Sequence, residues 1–177
     1  MSTLLGPVRQ VGYVIRDIER AMAGWLAVGV GPWFYQEDVQ PREFRYRGEP
    51  SRPPRMSMAI ANSGDLQIEL IEQIDDAPSL YLDTLSQSGE GAQHLAFWTM
   101  ESLERIHGRL LAQGYLEGHA GRMAPERGPF AYYLRPNLPG LMIEVSQNTG
   151  GKAEYFEQVR LAACAWQGED PIRRSVR

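Results

Sequence analysis

Two stretches of the chain carry the same order of apolar and polar positions. "QVGYVIRDIERAMAGWLAVGV" (10–30) and "HLAFWTMESLERIHGRLLAQGY" (94–115) each open on a short apolar run of strand type, then pass a residue suited to capping a helix, Asp17 or Ser102. Apolar residues follow at i, i+3, i+4, i+7 and i+8. They are Ile18, Ala21, Met22, Trp25 and Leu26 in the first stretch, and Leu103, Ile106, His107, Leu110 and Leu111 in the second, where His107 is expected to pack at the boundary. This spacing predicts two amphipathic helices, and a glycine ends each of them, Gly29 and Gly114. One inserted residue near position 102 brings the stretches into register with Gln10 opposite His94, so the chain reads as an internal duplication.

The duplication has a second matched end. "NSGDLQIELIEQ" (62–73) aligns without gaps on "NLPGLMIEVSQN" (137–148), which places Glu69 opposite Glu144. Between helix and last strand each copy has room for two more strands: "EFRYRG" and "RMSMAIAN" in the first, "LEGHAGR" and "FAYYLRP" in the second. Each copy therefore reads strand, helix, three strands, with module one at about 8–75 and module two at about 90–148. The expected fold class is α+β: two tandem βαβββ modules (1–148) forming a curved mixed sheet, followed by a C-terminal helical extension and tail (149–177). In that extension Tyr155, Phe156, Val159, Ala162, Ala163 and Trp166 share one helical face, which predicts packing on the sheet or on a second subunit and makes a homodimer the expected assembly. "EPSRPP" (49–54) reads as a stiff loop and "GEDPIRRSVR" as a mostly exposed tail.

Composition narrows the partners. A net charge of -4 over 177 residues offers no basic field for nucleic acid, and 43% apolar content is ordinary for a folded domain, so a small molecule is the expected ligand. No apolar run approaches the ~20 residues of a membrane span, and "MSTLLGPVRQ" lacks the pattern of a signal peptide. No membrane partner and a cytoplasmic location are therefore expected. Cys164, the single cysteine, allows no internal disulfide and no cysteine-based zinc site, and is expected to be a buried residue of the C-terminal helix.

Glu69 sits in the middle of the strand run "LQIELIEQ", between Ile68 and Leu70. Alone, such a residue is most often solvent-facing on a half-exposed sheet. The repeat gives it a twin, Glu144, and two companions at the module starts, Gln10 and His94. Paired modules related by a pseudo-twofold axis would bring the four to one cavity, where each unpaired charge would cost roughly several kcal/mol. A divalent cation removes that cost, with two glutamates neutralising it and Gln10 and His94 completing its shell. Glu72 reads as an exposed ion-pair partner. His119, in the glycine-rich "EGHAGR", reads either as loop surface or as a substrate contact.

On "QVGYVIRDIERAM", "QIELIE", "GAQHLAFW" and "GLMIEVSQ", in that order, residues 8–148 resemble the vicinal oxygen chelate superfamily of glyoxalase I, methylmalonyl-CoA epimerase, extradiol dioxygenases and bleomycin-resistance proteins. The resemblance implies paired βαβββ modules around a metal, with Gln10, Glu69, His94 and Glu144 as ligands. The set is similar to that of the zinc form of glyoxalase I. It departs from the two-histidine, one-carboxylate iron site of the dioxygenases, because Gln10 replaces a histidine. The epimerase also resembles this chain, but "PPRMSMAIAN" lacks the second basic carboxylate that its members carry on a neighbouring strand, and the arginines that hold glutathione in glyoxalase I have no match.

The implied activity is that of a lyase or isomerase using zinc, nickel, cobalt or manganese to promote proton transfer next to a carbonyl through a metal-held enediolate. Glu144 is the expected base and Glu69 the second candidate. Trp33, Tyr46, Tyr132 and Tyr133 are candidate substrate walls, and Arg127 in "PERGPF" a candidate for an anionic group. The alternatives are a metal-free binding protein of the resistance type and a ring-cleaving dioxygenase.

Overall fold

The computed structural model describes residues 2–136, 140 and 142–174. In chain order they form β1 (Val8–Val14), α1 (Ile18–Ala27), β2 (Trp33–Val39), β3 (Arg42–Tyr46), β4 (Glu49–Pro50), β5 (Met56–Ser63), β6 (Leu66–Gln73) and α2 (Leu80–Gln87). The second half continues with β7 (Gly91–Thr99), α3 (Leu103–Ala112), β8 (Leu116–Arg122), β9 (Phe130–Leu134), β10 (Met142–Gln147), α4 (Lys152–Ala165) and β11 (Ile172–Arg174). Leu141 and most of the loop before it, within the expected "GLMIEVSQ" strand, lie outside the described residues, as does the end of the tail after 174. The two duplicated helices start at the expected caps. Asp17 accepts the Arg20 N–H at 2.9 Å and Ser102 that of Arg105 at 3.4 Å. Gly29 (φ 83°) and Gly114 (φ 81°) close them in the left-handed conformation.

All strands join one curved, unclosed mixed sheet in the order β11-β2-β5-β6-β1-β7-β10-β9-β8-β3-β4. At its centre β1 and β7 run antiparallel, pairing Gln10 with Ala96 and Gly12 with His94. On either side, parallel β6 sets Glu69 beside Gly12, and parallel β10 sets Glu144 beside Ala96. Exchanging Gln10 with His94, Gly12 with Ala96 and Glu69 with Glu144 maps each set of pairs onto the other, so the pseudo-twofold axis is written into the backbone register. Strand alternation then fixes the faces. Ile68, Leu70, Trp33 and Tyr35 turn toward α1 and pack with Ile18 and Met22. Ala131, Tyr133 and Val145 turn toward α3 and pack with Ile106 and Leu110. Gln10, Glu69, His94 and Glu144 point to the opposite face. Among the described residues no helix is long and apolar enough to cross a membrane.

Three expectations need correcting, and a fourth gains an element. The strand after α1 in module one is β2, not "EFRYRG"; that segment, as β3, crosses to the other module and pairs with β8. The tail is mostly exposed as expected, but its residues 172–174 also form β11 on the edge of β2, with the Trp33 N–H donating to Pro171 O at 2.9 Å. Cys164 is exposed: the residues that α4 buries are Lys152 and Val159, and the cysteine lies off that face. Glu72 is half-buried and accepts the Ile18 N–H at 3.2 Å, which ties β6 to the start of α1.

Candidate metal centre and cavity

The four symmetric residues meet on the cavity face, and all are buried: Gln10 is 2% exposed, Glu69 7%, His94 0% and Glu144 6%. His94 Nε2 lies 3.3 Å from Glu69 Oε2 and 3.2 Å from Glu144 Oε2. Neither contact has hydrogen-bond geometry, so among the described residues Nε2 is a buried polar atom without a hydrogen-bond partner. One ligand atom from each of the three falls within 4.8 Å of the others. Gln10 Nε2 donates to Gln67 Oε1 at 2.8 Å, which leaves the Gln10 carboxamide oxygen as its donor atom for the cavity.

The imidazole is oriented from behind. Gln93 Nε2 donates to Leu80 O (2.9 Å) and Thr84 Oγ1 (2.8 Å) on α2, so its Oε1 is the atom that faces His94 Nδ1, at 3.3 Å. Nδ1 therefore carries the proton of the neutral ring, and Nε2 presents its lone pair to two carboxylates. That arrangement is repulsive unless Nε2 is protonated or a cation sits among the three groups. Burial lowers the affinity of His94 for its second proton, but the two carboxylates outweigh burial and raise its pKa to about 9. Burial also raises Glu69, with the charge of Glu144 adding to it and His94 opposing. The set of two carboxylates, one imidazole and one carboxamide, with an oriented second ring nitrogen, fits a divalent cation.

Gln10, Glu69 and Glu144, with His94 buried behind them, end a cavity of about 320 Å³ whose other walls are largely apolar, including Phe34, Met58, Ile60, Phe130 and Phe156. Of the expected substrate contacts, Tyr132 and Arg127 line it. Tyr132 is the register partner of Glu144 and packs edge-on to His94, 4.7 Å between ring centres. Arg127 donates to Gly151 O at 2.9 Å and lies 5.6 Å over the Tyr155 ring. The other four lie elsewhere. Trp33 and Tyr133 are buried on the helix-covered face, and Tyr133 bonds His107 Nδ1 at 3.1 Å. Tyr46 donates to Asp83 at 2.8 Å, outside the cavity. His119 is neither surface nor substrate contact: it is fully buried, and its Nε2 accepts the Leu80 N–H at 2.7 Å at the start of α2. Burial lowers its pKa to about 3.

Among the cavity residues that escape the sequence reading, Tyr81, Ser146 and Lys152 add polar groups to it. Tyr81 comes from α2, and its hydroxyl lies 3.4 Å from that of Tyr132. Ser146, two residues beyond Glu144 on β10, shares its face and was available from alternation alone. Lys152 opens α4 and is buried, with Nζ donating to Gly128 O (2.7 Å) and Ser146 Oγ (3.0 Å). Burial lowers its pKa to about 8 against the upward pull of Glu144.

The family model described as Glyoxalase/Bleomycin resistance protein/Dioxygenase superfamily matches residues 9–133, which include Gln10, Glu69 and His94 and stop short of Glu144. No curated protein matches the chain. Among solved structures, methylmalonyl-CoA epimerase from Mycobacterium tuberculosis matches with a TM-score of 0.58 at 19% identity, over 87% of this chain and 96% of that one. A hypothetical protein from Bacillus halodurans gives 0.57 at 14% identity, over 81% and 94%. A variant of Streptomyces coelicolor methylmalonyl-CoA epimerase in complex with 2-nitronate-propionyl-CoA gives 0.51 at 17%, over 81% and 95%. At these identities the likeness is one of fold.

Proposed function

Because the chain belongs to the glyoxalase/bleomycin resistance/dioxygenase superfamily, we propose that its buried cluster is the divalent-metal site of an isomerase or lyase that transfers a proton next to a substrate carbonyl. The observation that carries this reading is His94 Nε2, a buried ring nitrogen set 3.3 and 3.2 Å from two buried carboxylates and without a hydrogen-bond partner among the described residues. Glu69, His94 and Glu144 would hold the ion, with Gln10 as the fourth donor. When bound, the ion supplies Lewis-acid polarisation that makes the C–H beside a carbonyl more acidic.

The chain's own residues supply the rest. Glu144 is the base: it lies beside Tyr132 and shares a strand face with Ser146, on the polar side of the cavity, where its carboxylate can take a proton from carbon and return it. Tyr81 and Tyr132 keep their protons, burial raising both, and are hydroxyl donors for oxygen charge that builds on the substrate. The apolar walls exclude water from the transfer. Among the described residues lining the cavity the carboxylates are Glu69, Glu144 and Glu126, and Glu126 is exposed in the loop after β8. Glu69 is thus the candidate for a second face, and proton return by Glu144 to a neighbouring carbon, as in a glyoxalase-like isomerisation, needs only one base.

The test is solvent deuterium exchange into a panel of 2-oxo aldehydes, offered with and without thiol, and 2-methyl acyl thioesters, with metal content measured on the same samples. Wild type should exchange above the buffer rate with about one divalent ion per chain, and Glu144→Gln should not. Exchange no faster than buffer across the panel sinks the reading.

A further inference from the structure

Lys152 is the cavity residue that the proton-transfer reading leaves without a task. It belongs to α4, beyond the residues matched to the family, and it is 6% exposed. Its position does not serve the helix, since a cation at a helix N-terminus opposes the macrodipole. The backbone around it is shaped to admit it. Gly151, immediately before it, has φ 75°, and a Cβ on Gly150 (φ 65°) would overlap Glu126 O. A Cβ on Gly128, whose carbonyl accepts from Lys152, would overlap Gln147 O. Two glycines, Gly128 and Gly150, thus let backbone meet backbone beside one buried ammonium, and Gly151 supplies the left-handed turn into its helix.

That ammonium has three N–H groups. Two donate, to Gly128 O and Ser146 Oγ, and among the described residues the third has no partner. Among the described residues no carboxylate forms an ion pair with Nζ, whose polar contacts are the Gly128 carbonyl and the Ser146 hydroxyl. Its charge is balanced only at longer range by Glu69 and Glu144, and a divalent ion held between those two would take up their charge. A buried cation without a counter-charge is expensive, and the cavity it lines is where that charge can come from. Arg127, which donates to Gly151 O next to Lys152, adds a second cation, and Met58, Ile60 and Phe34 give the same cavity an apolar wall.

We propose that Lys152, with Arg127 at the rim, is a carboxylate anchor, so that the cavity takes small organic acids with an apolar body: the carboxylate on Nζ, the aryl or alkyl portion against the methionine and phenylalanine wall, and the reacting carbon at Glu144. This names a substrate class for the site above and rests on the reading of that cavity as a substrate site. A volume of about 320 Å³ is at the small end for ligand pockets, which favours a compact acid over a molecule that needs a long channel.

The experiment uses 3-phenylpropanoate and its neutral twin 3-phenylpropanamide, titrated calorimetrically into the full-length, zinc-supplemented protein as wild type, Lys152→Met and Lys152→Arg. Wild type should bind the acid about tenfold or more tighter than the amide, the worth of one charge-assisted hydrogen bond. Lys152→Met should lose that preference while keeping its affinity for the amide, and Lys152→Arg should retain it. Equal affinity of wild type for acid and amide overturns the proposal whether or not the variants fold. A preference that persists in Lys152→Met places the acid on the metal instead and overturns it too. Zinc stoichiometry from the same samples keeps the outcomes apart: absent zinc with a lysine-dependent preference defeats the metal site alone, and bound zinc without that preference defeats the anchor alone.

Discussion

Gly12 stands directly across the central strand pair from His94, and the imidazole occupies the space where a side chain on residue 12 would begin. A Cβ added there would fall inside the ring. The twofold mate of Gly12 is Ala96, which faces the smaller demand of Gln10. The one histidine in the cluster is therefore matched by the one glycine opposite it.

Gly12→Ala should displace His94 from the gap between Glu69 and Glu144. Overpacking of this kind costs about 1–3 kcal/mol of stability, and a disturbed ligand orientation should weaken metal binding roughly 10–100-fold. Denaturant unfolding and zinc competition titrations on the variant check both. Wild-type metal affinity in Gly12→Ala would show that the ring does not depend on this seat.

Metal uptake should release protons. With its pKa raised to about 9 in the metal-free protein, His94 is charged at neutral pH and must lose the Nε2 proton to bind an ion. Apparent affinity should then rise with pH up to about 9, and calorimetry at pH 7 in buffers of different ionisation enthalpy should count about one proton from this residue. In the metal-free protein the same shift stabilises the fold fully below the ordinary histidine pKa, and that contribution fades as pH rises through about 9.

The two glutamates should separate by function. Glu144→Gln should lower proton exchange by roughly 10²–10⁴-fold even at saturating metal, as loss of a general base does. Glu69→Gln should weaken metal binding, and exchange should recover when metal is raised if Glu69 is only a ligand. Failure to recover at full metal occupancy would make Glu69 a second base.

His119 should make the fold sensitive to acid. Its pKa is lowered to about 3 by burial, so the native state holds it neutral while the unfolded chain protonates it near 6.5. Its contribution is present above the unfolded pKa and is lost as pH falls from there toward about 3. His119→Phe should lose roughly 1–3 kcal/mol at neutral pH, because the Leu80 N–H at the start of α2 loses its acceptor. The variant should also show a shallower fall in urea midpoint between pH 7 and pH 4.5.

The duplication made the centre of the molecule legible. Gln10, Glu69, His94 and Glu144 were found as two aligned pairs, and the β1–β7 seam places them together because the register itself obeys the twofold. The walls were harder for reasons of parity and distance. Tyr132 and Tyr133 are strand neighbours and face opposite sides, a rule that was available from sequence; Trp33 is on the helix face of a strand that "EFRYRG" displaced in the reading. Nothing local distinguishes β3 as the partner of β8 rather than of its own module, since pairing across the sheet leaves no periodic signal. Lys152 was invisible for a similar reason. A lysine after two glycines reads as an exposed charge, and only carbonyl and hydroxyl oxygens brought from residues 128 and 146 bury it.

The hairpin of β3 and β4, carried from the first half of the chain to the outer edge of the second, has a mechanical consequence. A break in the turn between Gln87 and Gly91 would not release two self-sufficient halves. The C-terminal fragment would leave the edge of β8 bare, and the N-terminal one would lose β11 from β2. Each half wears a strand made by the other, so the pieces should re-associate as a clasped pair, and a gene fusion or permutation that splits them must carry both straps.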